Sequence, residues 1–437
     1  MKVFNKHSLP AGFSSLFLRI LSVFLLWRIG LFAVSFVADQ FIVYAPSFPY
    51  AFSLLPSFHL PRWLYSFANF DGVHYLTIAK EGYLQTDFIQ AFFPLYPFVL
   101  IRGVSLLFPF VNLLGIGLLL SNFSFFGFLL VSFDLIAKRY SRKTAWFFLA
   151  AILLSPWSVF LASVYTESLF LLLLVLCFWF ADKKLWWAAG ISAALLSATR
   201  IVGVFIVPAL LIELFVSYIS QTSVILDAKL PKKQHGSRGS RFFVHTFTQW
   251  SLVWSQLMRK KTLLSFIQKE LKNIAFIVAG VTGLLAYMLY LQIHFGDPLH
   301  FFHVQSSFGA GRSTSLVVYP QVVWRGIKIL FTSPFDVRFV TSLLEFLAGT
   351  FGLIAIVFAS KKVSLGLTFF CIVSFLFPTL SGSFLSMGRF LLPCVSIYIL
   401  IALQAEKSKL FRVLFFGVSG ILLIVNTILF VQGYWVA

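Results

Sequence analysis

Long apolar runs recur along nearly the whole chain, at 16–38, 111–134, 144–163, 166–182, 185–200, 201–219, 273–293, 339–360, 363–381, 389–405 and 413–434. A membrane helix needs about 20 mostly apolar residues at a rise of about 1.5 Å each, and these runs meet or approach that length. Only 11% of the residues are charged and 59% are hydrophobic, whereas an ordinary soluble domain is about 25% charged. A soluble fold could not hide that much apolar surface. The pattern predicts an all-α polytopic membrane protein, a single multi-span domain over residues 1–437 with about eleven transmembrane helices.

Orientation follows from the basic residues, because cytoplasmic loops carry an excess of Lys and Arg. The segment 91–110 is a further apolar stretch, but Pro94, Pro97, Arg102 and Pro109 interrupt it. If it does not span, most of the 34 Lys and Arg fall on one side, in the N-terminus (Lys2, Lys6), 138–143, 183–184, 220–272, 361–362 and 407–412. If it spans, every later cluster moves to the opposite side. The segment 91–110 is therefore expected to be an amphipathic or re-entrant helix of the first outer loop, with the N-terminus inside and the C-terminus outside. Lys2 and Lys6 precede an apolar run without a small-residue cleavage site, which reads as a retained first span.

The formal net charge of +20 lies in short clusters between apolar runs, not along one interleaved polar face, so nucleic acid is not an expected partner. The basic 220–272 loop, with Lys232, Lys233, Arg238, Arg241, Arg259, Lys260 and Lys261, reads as a solvated cytoplasmic loop that touches anionic lipid; Gln234–Ser240 within it reads as mobile. Cys177, Cys371 and Cys394 all sit in apolar segments and read as packing residues. Two regions are long and extracytoplasmic: 39–110, with its amphipathic helices, and 294–338.

The first outer loop carries Asn69-Phe70-Asp71-Gly72-Val73-His74-Tyr75. Asp71 precedes a glycine and opens a short helical run, so it reads either as an N-cap or turn residue or as a reactive carboxylate. Two further charges are informative through helix length. From Lys183 and Lys184 back to Glu167, or on to Arg200, the chain covers about 24 Å against a hydrocarbon core of about 30 Å. Both charges should stop below the headgroups, where ionisable groups are costly and by default mark function; the other reading is an ion pair that only joins two spans. Arg19 and Arg28 in the first span either snorkel or pair in the same way.

A recessed outer cavity with carboxylates and arginines suits displacement of a lipid phosphate from a sugar. A carboxylate takes the proton of an acceptor hydroxyl as it attacks the anomeric carbon, and arginines stabilise the departing phosphate. Inversion at that carbon needs one base, whereas a retaining glycosidase-type mechanism needs two carboxylates about 5 Å apart.

Several segments, in order, resemble one family. These are Phe70-Asp71-Gly72 through His74-Tyr75-Leu76-Thr77-Ile78-Ala79 to Glu81-Gly82-Tyr83, then Phe92-Phe93-Pro94-Leu95-Tyr96-Pro97, Tyr165-Thr166-Glu167-Ser168-Leu169-Phe170 and Ala198-Thr199-Arg200. Together they resemble the GPI mannosyltransferase II (PIG-V) family, which includes prokaryotic relatives with the multi-span GT-C glycosyltransferase fold. Phe295-Gly296-Asp297-Pro298-Leu299 and Met387-Gly388-Arg389-Phe390 also look like family segments. The resemblance implies transfer of a sugar, mannose in the eukaryotic members, from a polyprenyl-phosphate donor to a glycolipid or glycan acceptor on the extracytoplasmic side of the lipid bilayer. It matches Asp71 to the family's first-loop aspartate, the expected base. The family usually has tryptophan before that aspartate; Phe70 keeps an aromatic wall there but lacks the indole hydrogen bond.

Substrate contacts are expected from His74 and Tyr75, close behind Asp71, from Glu167 and Arg200, from His303 and Gln305 in the second outer loop, and from Arg389 before an apolar run on the outer side. Plain loop packing is the other reading for His74 and Tyr75, and an interfacial anchor the other reading for Arg389. His300 and His303 are three apart, but no ligand partner beyond Asp297 is evident, so the spacing does not support a divalent metal and no cofactor is assigned. A transporter or flippase of lipid-linked sugar is the alternative function. Such proteins often carry inverted repeats and broken midplane helices, and neither is clear in the sequence.

Overall fold

The computed structural model describes residues 11–226, 253–305, 317–335 and 337–436. The described residues are helical, with no strand among them. Six helices among them are long and apolar enough to cross a membrane: Ser15–Phe41, Leu113–Arg139, Ile201–Gln221, Lys260–Phe295, Phe339–Ala359 and Lys409–Val431. Lys232, Lys233, Arg238, Arg241 and the Gln234–Ser240 segment lie outside the described residues, whereas Lys260 already opens a helix that runs into the next apolar segment.

The other expected spans are shorter, and the breaks have local causes. The run 144–163 is a helix over Arg142–Leu153, an interruption around Pro156, and a single turn over Val159–Ala162. The run 389–405 is a short helix over Met387–Leu391 and a second over Val395–Lys407, parted at Pro393. A proline cannot donate the helical hydrogen bond and its ring crowds the preceding turn. Among the described residues, six helices have the length and composition of full spans, and the other apolar runs form shorter helices. Glu167–Asp182, Trp186–Ser197 and Leu365–Thr379 measure about 18 to 24 Å at 1.5 Å per residue.

Polar caps start several helices: the Asn112 side chain accepts from Gly115 N at 2.7 Å, and Ser141 Oγ accepts from Thr144 N at 2.9 Å. The Leu113–Arg139 helix packs on Glu167–Asp182 and Arg142–Leu153, Trp186–Ser197 packs on Glu167–Asp182, and the first long helix packs on the last. One contact depends on missing side chains. A Cβ on Gly190 would lie 2.1 Å from the Phe276 carbonyl oxygen, so Trp186–Ser197 meets Lys260–Val278 backbone to backbone.

The two ends of the bundle differ. At one, the short basic loops meet: Arg139 pairs with Asp182 at 3.1 Å, the Tyr140 hydroxyl donates to the Lys362 carbonyl at 2.5 Å, and Ser141 Oγ donates to Glu406 Oε2 at 3.3 Å. At the other, the 39–110 segment folds in among the helices. Ser35 Oγ donates to the Trp63 carbonyl at 2.7 Å, Val164 N to Phe67 O at 2.9 Å, and Leu95 N to Ala198 O at 3.1 Å. Within 91–110, a helix over Leu95–Leu107 begins with π geometry after Pro94; its length of about 20 Å is less than a hydrocarbon core. Leu95, Tyr96 and Ile101 at its start are buried by protein, whereas Leu106 and Leu107 at its end are exposed.

Candidate active site

Asp71 is carried by a strained turn. Phe70 adopts φ +57° and ψ −119°, and the Asp71–Glu81 helix starts immediately after it. A bulky residue at positive φ persists only when its surroundings hold it. Phe70 is packed by Phe48, Phe430 and Trp435 at ring distances of 4.7, 5.8 and 5.6 Å. On its N-terminal side, buried Asn69 donates through Nδ2 to the Phe430 and Val431 carbonyls at 2.9 and 3.2 Å. Tyr165 completes the support: its hydroxyl donates to Asn69 O at 3.0 Å and accepts from Asp71 N at 3.1 Å. The N-cap reading of Asp71 is therefore overturned. Phe70 occupies the cap position without a side-chain cap hydrogen bond, and the Asp71 carboxylate is engaged elsewhere.

Its partner is Arg389, whose Nη1 lies 2.7 Å from Asp71 Oδ2. The same guanidinium reaches Glu167 Oε1 with Nη2 at 2.9 Å and Nε at 3.0 Å. Arg200 Nη1 donates to that oxygen at 2.7 Å. Two carboxylates and two guanidiniums thus form one chain of charges, Asp71, Arg389, Glu167, Arg200, in which Arg389 is the bridge. The rings of Phe160 and Tyr165 lie 5.1 and 5.0 Å from its Cζ, so it is held by aromatic faces as well as by carboxylates. The interfacial-anchor reading of Arg389 is contradicted, because its side chain is buried. A substitution at the preceding Gly388 would collide with Trp157, since a Cβ there would lie 1.9 Å from the indole nitrogen.

The two carboxylates are not equivalent. The Glu167 side chain is fully buried, whereas that of Asp71 keeps 27% of its exposure. All the described hydrogen bonds to Glu167 converge on Oε1, and its buried Oε2 meets no hydrogen-bond partner. Burial alone would raise the Asp71 carboxyl, but the Arg389 guanidinium, helped by His74 and Arg200, holds it below the ordinary aspartate range. Asp71 is a carboxylate at neutral pH. His74 moves the other way for an imidazole: burial lowers it against the pull of Asp71, and its ring stacks on Phe92 at 5.0 Å. Burial raises the Tyr75 hydroxyl, which lies 3.4 Å from Thr166 Oγ1.

Of the expected contact residues, Glu167, Arg200 and Arg389 converge on Asp71 through this chain, and His74 and Tyr75 adjoin it. His303 and Gln305 are held differently. His303 Nδ1 pairs with Asp297 Oδ2 at 2.7 Å with its side chain 58% exposed, and Gln305 Nε2 lies 3.4 Å from the Phe301 carbonyl. Among the described residues no three His, Cys, Asp or Glu side chains gather as a metal site. Asn69, Tyr165 and Trp157 were not singled out from the sequence, although the first two stand within the Asp71 and Glu167 segments. Arg28 is buried in the first helix with Cζ 3.9 Å from the Phe32 ring and 4.4 Å from the Phe67 ring.

Residues 14–223 match the model of a family described as mannosyltransferase (PIG-V). This segment, just under half of the chain, makes it similar to the PIG-V mannosyltransferase family. PIG-V proteins are glycosyltransferases that depend on polyprenyl-phosphate-mannose. The matched part of the chain supplies Asp71, Glu167 and Arg200, and Arg389 reaches the site from beyond it. No curated protein and no solved structure matches the chain.

Proposed function

We propose that the chain transfers mannose from polyprenyl-phosphate-mannose to a hydroxyl of a lipid-linked or other glycan acceptor on the extracytoplasmic face, with Asp71 as the general base. The observation that carries this reading is the asymmetry of the two carboxylates: Asp71 is partly open and ionised, and Glu167 is sealed. Arg389 holds Asp71 Oδ2, so Oδ1 faces the acceptor hydroxyl. As that hydroxyl oxygen attacks the anomeric carbon, its proton passes to Asp71 and the bond from the anomeric carbon to the lipid phosphate breaks. One base suffices for inversion.

The four charges then divide the work. Arg389 is already shared by two carboxylates, so the guanidinium that meets the departing phosphate is Arg200, which spends only Nη1 on Glu167. Glu167, sealed from the pocket, holds Arg389 and Arg200 in place through Oε1. His74 and Tyr75 line the pocket beside Asp71. The extracytoplasmic face is supported by the gathering of basic loops at the opposite end of the bundle.

The test is purified protein in lipid vesicles with labelled polyprenyl-phosphate-mannose and a panel of acceptors. Asp71→Asn should lower transfer by about 100- to 10,000-fold; transfer at the wild-type rate would sink the assignment of the base, and lipid translocation without transfer would favour a flippase. In the same vesicles, cysteine in place of exposed Ser57 should label from outside and in place of exposed Lys361 from inside, with the three native cysteines buried. Labelling of both from one side would overturn the face.

A further inference from the structure

Arg389 does not reach Asp71 from a long helix. It sits on the short Met387–Leu391 helix, entered through Ser386 at φ +63° and ψ +17°, a left-handed conformation that a non-glycine residue keeps only under constraint. The constraint is visible: Ser386 N donates to Glu345 Oε1 at 2.9 Å, and Glu345 is buried on the Val337–Ala359 helix. Glu345 also neighbours the Trp435 side chain, in the segment after the last helix. That segment is pinned to the first loop by Ala45 N donating to Gln432 O at 2.9 Å and Ser47 N to Gly433 O at 3.3 Å. The Trp435 ring in turn meets Phe70 edge to face at 5.6 Å.

These contacts close a ring. Asp71 pairs with Arg389, Arg389 follows Ser386, Ser386 is tied to Glu345, Glu345 to Trp435, and Trp435 to Phe70, the neighbour of Asp71. We infer that Glu345 and Trp435 are positioning residues for glycosyl transfer, a clamp that fixes the Asp71–Arg389 pair by holding the two strained turns, at Phe70 and Ser386, against each other. A carboxylate has the acceptor oxygens for both a backbone N–H and an indole N–H. Glu345 has no part in the charge chain itself, which leaves positioning as the use of a buried acid that the reaction does not consume.

This inference rests on Asp71 being the base, and its test separates the two. The groups that act on Asp71 are Arg389, His74 and Arg200, with Glu167, Tyr165 and Tyr75 beside them. Arg389 is the one that the clamp controls. In the vesicle assay, Glu345→Ala should lower kcat by about 10- to 100-fold, the cost of a misplaced reacting group, with KM little changed. It should also move the acid limb of the rate profile to higher pH, because Asp71 loses part of the field that keeps it ionised. Glu345→Gln keeps an acceptor for Ser386 N–H and should restore both rate and profile. Trp435→Ala, in a residue already 38% exposed, should shift the limb in the same direction by less. A Glu345→Ala protein with the wild-type profile overturns the clamp, and so does an unshifted Trp435→Ala if Glu345→Ala does not fold. Full activity of Asp71→Asn would instead sink the base, whatever the clamp variants do.

Discussion

The two ends of the Glu167–Asp182 helix carry the same kinds of side chain and use them in opposite ways. At the Asp182 end, Arg139 pairs with a carboxylate that keeps 42% of its exposure, and Lys183 lies 3.2 Å above the centre of the Trp179 ring. At the Glu167 end, one sealed carboxylate oxygen takes both Arg200 and Arg389, and the second arginine goes on to Asp71. In water an ion pair gains little, because solvent screens it and side-chain entropy opposes it. In a dry interior the same pair is obligatory once one member is present, since an uncompensated charge there is expensive. The comparison teaches that what marks a site in such a bundle is charge that the fold goes out of its way to bury.

The largest effect should come from the bridge. Arg389→Ala leaves Asp71 without its ion-pair partner and Glu167 with only Arg200, and removing one member of a buried pair costs about 3 to 5 kcal/mol. Transfer should be lost, and thermal unfolding in detergent should move down by several degrees. Arg389→Lys separates charge from geometry. An ammonium cannot fork between two carboxylates as a guanidinium does, so a folded but impaired enzyme is expected. Its pH profile gives the sign. Asp71 is held below its ordinary range, so the wild-type protein keeps both activity and the stability of this pair until pH falls through that depressed value. Weakening the Arg389 contact lets burial dominate, Asp71 rises, and the acid limb moves up in pH. An unmoved limb in Arg389→Lys would mean that Arg389 does not set the ionisation of Asp71.

A middle-sized effect should separate Glu167 from Asp71. Glu167→Gln keeps an oxygen for the arginines but removes the charge and replaces one oxygen by an NH2 donor. Because sealed Glu167 acts through the two arginines it holds, loss of its charge should lower kcat by about 10- to 100-fold, the cost of misplaced groups, with KM changed less. An unchanged kcat would mean that Glu167 does not set the placement of Arg389 and Arg200.

How much of this was legible in the sequence depends on the kind of contact. Glu167 and Arg200 were legible one by one, because their distance from a basic cluster can be counted along a helix, and Asp71 was legible through its outer-loop segment and the family resemblance. Arg389 was legible as a residue but not as the bridge: it is brought to Asp71 by the turn at Ser386 and the break at Pro393, which are tertiary events. The same breaks separate the expected spans, about eleven, from the six long apolar helices among the described residues. Hydropathy registers apolar length and passes over Pro156 and Pro393. His303 and Gln305 were nominated because their loop is long, and there the loop's own Asp297 takes up His303. Loop length and buried charge are different signals, and the second located the cluster.

The smallest prediction is the one on which the opening comparison most depends. Asp182→Asn removes a carboxylate that meets Arg139 at 3.1 Å in an exposed position at the basic end. Solvent can take over for Arg139, and an exposed pair is worth about 0 to 1 kcal/mol, so melting temperature and transfer should both stay near wild type. The matching isosteric change at the other end, Glu167→Gln, should be felt in both. Were the two variants to behave alike, burial would not be what distinguishes the ends of this helix, and the charge chain around Arg389 would have to be read as packing that happens to be ionic.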